Sequence, residues 1–138
     1  MQVNPYLNFD GQCAEAFRTY EKVLGGKIEA MFTFGDSPAA GDVPPEWHDR
    51  IMHARLLVDG QAVMGSDSPA ERYEKPQGTY VSLNVDEPAD GERIFNALAK
   101  GGTVKMPFEK TFWAAGGFGM LIDRFGTPWM VNCEHAAT

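Results

Sequence analysis

A chain of 138 residues has room for one domain or two small half-domains, and two units of under about 80 residues would each have a marginal core alone. Twelve basic against 19 acidic residues give a formal charge of -7 with no Lys/Arg cluster, which argues against a nucleic-acid partner. No apolar run approaches a membrane span, and Met1-Gln2-Val3-Asn4-Pro5 has neither the basic nor the apolar region of a signal peptide, so a cytoplasmic protein without a membrane partner is expected.

The first predicted element is a strand over Tyr6 to Phe9. Its sequence Leu7-Asn8-Phe9-Asp10 returns as Leu83-Asn84-Val85-Asp86. Fourteen residues separate each aspartate from a glycine pair, Gly25-Gly26 and Gly101-Gly102, so the copies align without a gap at an offset of 76 residues. Two matches at one offset, flanking a helix-length segment, mark an internal structural repeat. In the first copy Asp10-Gly11 can end the strand and cap a helix. Cys13, Phe17, Tyr20 and Leu24 then line one helical face, and Gly25-Gly26 supplies a positive-φ stop.

Lys27 to Phe34 alternates as a strand. Residues 35–50, with Pro38, Pro44, Pro45, Gly35 and Gly41 around an isolated Trp47, are predicted to be irregular, either a lid or interface carrying Trp47 or a disordered tip, with His48 solvated in it. Ile51 to Val58 and Ala62 to Asp67 flank Asp59-Gly60, a hairpin signal. Residues 69–78 hold Pro69, Pro76 and Gly78 among charged residues and have linker composition, dividing residues 1–68 from 79–138 as two halves of one domain with a shared core.

In the second half Asp86-Glu87-Pro88 starts a helix whose buried stripe is Ile94, Phe95 and Leu98, about one residue out of phase with the first. Thr103 to Pro107 and Phe108 to Ala114 are strand-like, and Gly116-Gly117 turns the chain into Phe118 to Ile122. Asp123 to Pro128 is a second hairpin, and Trp129 to Glu134 is the last strand. Each half reads βαβββ in the α+β class, with the repeated Leu-Asn segments expected as central strands of a common sheet. Cys13 and Cys133 lack metal-site spacing and are expected to be inert core thiols.

The tandem βαβββ order, Tyr6-Leu7-Asn8-Phe9 through Glu15-Ala16 and Phe17 to Tyr20, Met52-His53-Ala54, Met64-Gly65-Ser66-Asp67 and Asp123 to Trp129 together resemble the PhnB-like branch of the vicinal oxygen chelate superfamily, over nearly the whole chain. The resemblance implies the glyoxalase/bleomycin-resistance fold: curved sheets enclosing a cleft, helices outside, usually in a homodimer. It implies no single reaction, since relatives isomerise, open epoxides, cleave aromatic rings or sequester a drug. Catalytic relatives hold a divalent metal through a His six residues before the aspartate of the first strand and a Glu four residues after the glycine of the last hairpin. Those positions here are Asn4 and Tyr80, and Met64 and Met130, none an ordinary ligand for a hard divalent ion. No metal and no cofactor are expected.

Strand alternation sets Tyr6, Asn8, Ser82 and Asn84 on the same side as Asn4 and Tyr80. Along the hairpin the inward set is Ile51, His53, Arg55 and Leu57 opposite Met64 and Ser66, and at the end Met130 and Asn132. Phe112, Trp113, Phe118 or Trp129 would stand near the mouth. His53 has two readings, a half-buried histidine bonded to nearby backbone or a general acid/base beside Arg55. Asp67 and Asp123 read as turn caps, Asn8 and Asn84 as structural bonds between central strands, and Glu134 and His135 as a frayed end. No Ser/His/Asp grouping, phosphate loop or nucleotide fingerprint appears. Two functions follow. One is a metal-independent protein binding a small, partly aromatic or amphipathic molecule. The other is a lyase- or isomerase-type enzyme, metal-free with His53 as acid/base, or with a relocated metal held by His53 and a carboxylate such as Glu109 or Asp67.

Overall fold

The computed structural model describes residues 1–137. The chain forms two compact units, Met1–Glu74 and Lys75–Thr138. In the first unit β1 (Tyr6–Phe9) leads into α1 (Cys13–Leu24), then β2 (Lys27–Thr33), β3 (Ile51–Val58) and β4 (Gln61–Asp67). In the second, β5 (Val81–Asn84) leads into α2 (Pro88–Ala99), then β6 (Thr103–Glu109), β7 (Gly117–Ile122) and β8 (Pro128–Cys133). Each unit folds as one four-stranded mixed sheet, β1-β4-β3-β2 and β5-β8-β7-β6. The first strand pairs parallel with the last, and the other pairings are antiparallel.

This order corrects the expected place of the repeated Leu-Asn segments. They are terminal strands of separate four-stranded sheets, not central strands of a common one. The helix carries the chain across to the far edge, and the following three strands return one by one until the last fills the gap beside the first.

Each helix covers one face of its own sheet. α1 buries Cys13, Ala16, Phe17 and Tyr20, and α2 buries Gly91, Ile94, Phe95 and Leu98. Phe9, Ala54 and Leu56 meet α1 from the sheet, while Leu121, Trp129 and Val131 form the second core. Leu24 is only half-buried, and Ala16, in the first turns of α1, is buried in addition to the expected stripe.

The repeated glycine pair has the same two causes in both copies. Gly25, φ 73°, is the left-handed C-cap of α1, whereas α2 ends at the extended Lys100 and Gly101, φ 77°, lies in the turn closed by Gly102 N–H to Ala99 O. A Cβ on Gly26 would run into the carbonyl oxygen of Leu57 on β3, and one on Gly102 into that of Ile122 on β7. The first glycine answers a backbone angle and the second a close strand.

Several local expectations change. Asp10 does not cap α1: Gln12 is the N-cap without a side-chain bond, and the Cys13 N–H donates to Asp67 Oδ1 from β4 at 3.0 Å. Residues 34–50 form an ordered loop with two 3-10 turns, Ala40–Asp42 and Pro45–Trp47. Its base is closed by Phe34 N–H to Arg50 O and Gly35 N–H to His48 O. His48 is not simply solvated, because Nε2 lies 3.0 Å from Ala40 O. Trp47 packs edge-on to Phe34 and carries the Arg50 guanidinium over its ring at 4.3 Å. Thr103–Glu109 is one strand instead of two, with irregular register on either side of Met106. Pro107 is tolerated there because β6 is an edge strand with no ladder partner for the missing N–H.

Candidate functional site

The face of the first sheet that α1 leaves open is set by register. Tyr6, Met64, Arg55 and Ala30 form one row across β1, β4, β3 and β2. Asn8 stands beside Ser66, and His53 beside Phe32. Tyr6 Oη and His53 Nδ1 share a hydrogen bond of 3.2 Å, the ring tautomer deciding which donates, and the rings stack with centroids 5.9 Å apart. The partner of His53 is therefore a phenol from β1, not backbone. Arg55 Nε lies 3.4 Å from Glu29 Oε1, an ion pair without hydrogen-bond alignment. Asn8 Oδ1 accepts from Ser68 Oγ at 3.3 Å.

Two residues expected near this face are elsewhere. Ile51 is 3% exposed and belongs to the core. Asp67 is buried on the helix side of β4, and its two oxygens accept from Cys13 N–H at 3.0 Å and Ile51 N–H at 2.8 Å. It is a structural acceptor away from His53. The Cys13 thiol beside it is pushed far above its ordinary range, first by burial and second by the Asp67 charge.

The open face of the second sheet has two rows. Ser82, Met130, Met120 and Met106 form one, and Asn84, Asn132, Phe118 and Glu109 the other. Asn132 Nδ2 donates to Asn84 Oδ1 at 3.1 Å, whereas Asn132 Oδ1 is buried with no donor among the described residues. The repeated asparagines thus each bond within their own unit. Trp113 meets Phe118 at 5.4 Å, and Phe112, 98% exposed, stands edge-on to Trp113 at 4.9 Å. Trp129 does not join them: it is fully buried, and its Nε1–H donates to Asp123 Oδ2 at 2.9 Å. Asp123 Oδ1 accepts from the N–H groups of Phe125 and Thr127, closing the β7–β8 turn.

The chelate positions of each unit carry the wrong donors. Asn4 is half-buried just before β1, Met64 stands beside Tyr6, Tyr80 is half-buried just before β5, and Met130 stands beside Ser82. Amide, phenol and thioether groups do not suit a hard divalent ion. Among the described residues no three His, Cys, Asp or Glu side chains are grouped to hold a metal. The methionine row was not legible in the sequence, because Met106 reaches it only through the irregular register of β6. The Tyr6–His53 contact joins residues 47 apart and has no local signal.

Two units of order βαβββ, each a four-stranded mixed sheet with one covering helix, define the glyoxalase/bleomycin resistance fold; an enzyme of that family from Burkholderia phytofirmans PsJN shares it at a TM-score of 0.60 and 14% identity, covering 96% of both chains. The chain belongs to the family described as 3-demethylubiquinone-9 3-methyltransferase, the PhnB-like family, whose model matches residues 1–132. It is similar to protein PA1353 from Pseudomonas aeruginosa, with 56% identity and a TM-score of 0.89 over 97% of this chain and 98% of that one. Protein YjdN of Escherichia coli K12 is 33% identical over 140 residues, 96% of this chain and 95% of its own. A PhnB protein from Bacillus cereus has 20% identity and a TM-score of 0.80, covering 96% and 99%, a likeness of fold. No helix among the described residues is long and apolar enough to cross a membrane.

Proposed function

We propose that this protein binds a small, partly aromatic or amphipathic molecule against the open faces of its sheets, without a metal in the superfamily's chelate position. The observation that carries this reading is the composition of those faces. Where a helix covers a sheet the side chains are mostly apolar and buried, but the other faces combine half-exposed rings and thioethers with neutral polar groups, Tyr6 being 47% and Trp113 49% exposed. Such a mixture suits an apolar ligand body oriented by a few hydrogen bonds. The family description names a demethylubiquinone, a flat polar quinone ring with an apolar tail, which is amphipathic in the same sense; methyl transfer itself is not carried over. A homodimer in the cytoplasm is the proposed setting. Trp47 is not kept as the dimer anchor, since Phe34 and Arg50 of its own loop already engage it.

A second reading, a metal-free lyase- or isomerase-type enzyme with His53 as acid/base, rests on one contact, the Tyr6 phenol at His53 Nδ1. Titration with 2-naphthol, followed through the methionine methyl and histidine ring resonances, tests both. Saturable shifts at Met64 or at Met120 and Met130 support binding. Shifts that also reach the His53 ring, and that Tyr6→Phe alters, support the second reading. Absence of saturable shifts on either face overturns the proposal.

A further inference from the structure

We propose, resting on the binding reading above, that the open face of the second unit takes an organic ammonium ion, a protonated amine joined to an aromatic or alkyl body. Phe118 stands on β7 between two register partners, Glu109 on β6 and Asn132 on β8. Trp113 closes on the Phe118 ring with an interplanar angle of 64°, and Phe112 stands against Trp113 at 83°. Rings set at such angles present π faces as well as edges to one region, and a π face attracts a cation.

The polar groups beside these rings point the same way. Glu109 is exposed and makes no ion pair among the described residues; Lys105 and Lys110, its neighbours along the chain, do not reach it. Asn132 Oδ1 is a buried acceptor with no donor among the described residues, while its amide N–H is engaged by Asn84. A buried acceptor is costly to leave unmatched, and a ligand N–H is a donor that would match it. A carboxylate ligand would meet Glu109 as a like charge and Asn132 Oδ1 with lone pairs. A neutral arene would leave both groups unanswered. A protonated amine over the Phe118 ring answers both, with Glu109 and Asn132 about 10 Å apart on either side of β7 by sheet geometry, and the methionine row receives the apolar remainder.

Three probes of similar shape separate the possibilities at pH 7: phenethylammonium, 2-phenylethanol and 3-phenylpropionate, each titrated into the full chain and followed by the Trp113 indole N–H and Asn132 side-chain amide resonances. The ammonium should bind about fivefold more tightly than the alcohol, the gain expected of a cation over exposed rings, and the carboxylate should bind least. Glu109→Gln should weaken the ammonium toward, but not down to, the alcohol's affinity, the ring attraction remaining, and leave the alcohol unchanged. Benzyltrimethylammonium, which has no N–H, should shift the Trp113 signal without the Asn132 response. Equal binding of ammonium and alcohol at Trp113 overturns the ammonium assignment while the general binding reading stands. Carboxylate binding as tight as the ammonium overturns it too, as do shifts confined to the first unit. Failure of all three probes on both open faces overturns both readings. If Trp113→Ala converts a dimer to a monomer and no probe binds the parent chain, a second copy covers the face and the proposal falls.

Discussion

Three aspartates of this chain show how burial decides what a carboxylate does. Asp67 and Asp123 are buried and act as hubs for N–H groups, whereas Asp10 is exposed, with the Arg50 guanidinium at 3.8 Å. Asp67→Ala would leave the N–H groups of Cys13 and Ile51 inside the fold without an acceptor, which should lower stability by roughly 2–4 kcal/mol in urea unfolding; Asp10→Ala should change little. Cys13 adds a pH dependence. The folded state holds its thiol proton to higher pH than the unfolded chain, where a cysteine ionises near about 8.5. The unfolded state therefore binds fewer protons above that pH, and stability falls as pH rises, by up to about 1.4 kcal/mol per pH unit. Cys13→Ala should flatten that fall, as read from urea midpoints between neutral pH and pH 10. Only the turn role of Asp123 was legible, from its place after a hydrophobic strand. Which aspartate serves α1 was not, because the bond from Cys13 to Asp67 spans 54 residues and alternation carries no information about it.

At the scale of elements, short-range grammar carried far. Both helices, both hairpins and the βαβββ order follow from stripe spacing, Asp-Gly chemistry and the repeat itself, and Asp59 and Gly60 take the two positive φ angles, 49° and 79°, that a two-residue hairpin requires. Strand order was less legible: nothing local tells β1 that its neighbour is β4. The same limit hid the open faces, whose rows are products of register across four strands. In β6, irregular pairing around Met106 moves side chains between faces in a way that simple alternation cannot follow. The glycine pairs give a test at this scale. Gly25→Ala meets open space and only a backbone penalty of about 1 kcal/mol. Gly26→Ala must displace the β3 carbonyl and should cost about 2–3 kcal/mol, as an overpacked site does. The same ranking should hold for Gly101→Ala, whose neighbour is the movable Arg124 side chain, against Gly102→Ala, which meets β7 backbone. Thermal unfolding of the four variants would check it, and a reversed ranking in either pair would show that the strand gives way more easily than the helix end.

For the whole molecule, the repeat predicts chemistry as well as shape, because the two units contribute corresponding positions to the superfamily's metal chelate. In the first unit these are Asn4 and Met64, in the second Tyr80 and Met130. However the units are arranged, that set contains neither a carboxylate nor an imidazole. Zn²⁺, Ni²⁺ or Mn²⁺ would have to exchange hydration for an amide, a phenol and two thioethers, which bind such ions weakly, so hydration should win. Nor does the nearest imidazole repair the set on its own: His53 is engaged by Tyr6, and the carboxylate that shares its unit's β4, Asp67, is buried on the opposite side of the strand with both oxygens occupied. Purified protein dialysed against a weak chelator should therefore carry well under one equivalent of divalent metal, and titration with each ion should show no saturable tight site. The other two histidines, His48 and His135, supply the control. Weak binding that disappears in His48→Ala or His135→Ala would be incidental, but one tightly held equivalent that survives both changes and is lost in His53→Ala would overturn the metal-independent reading and point to a relocated site centred on the Tyr6–His53 pair.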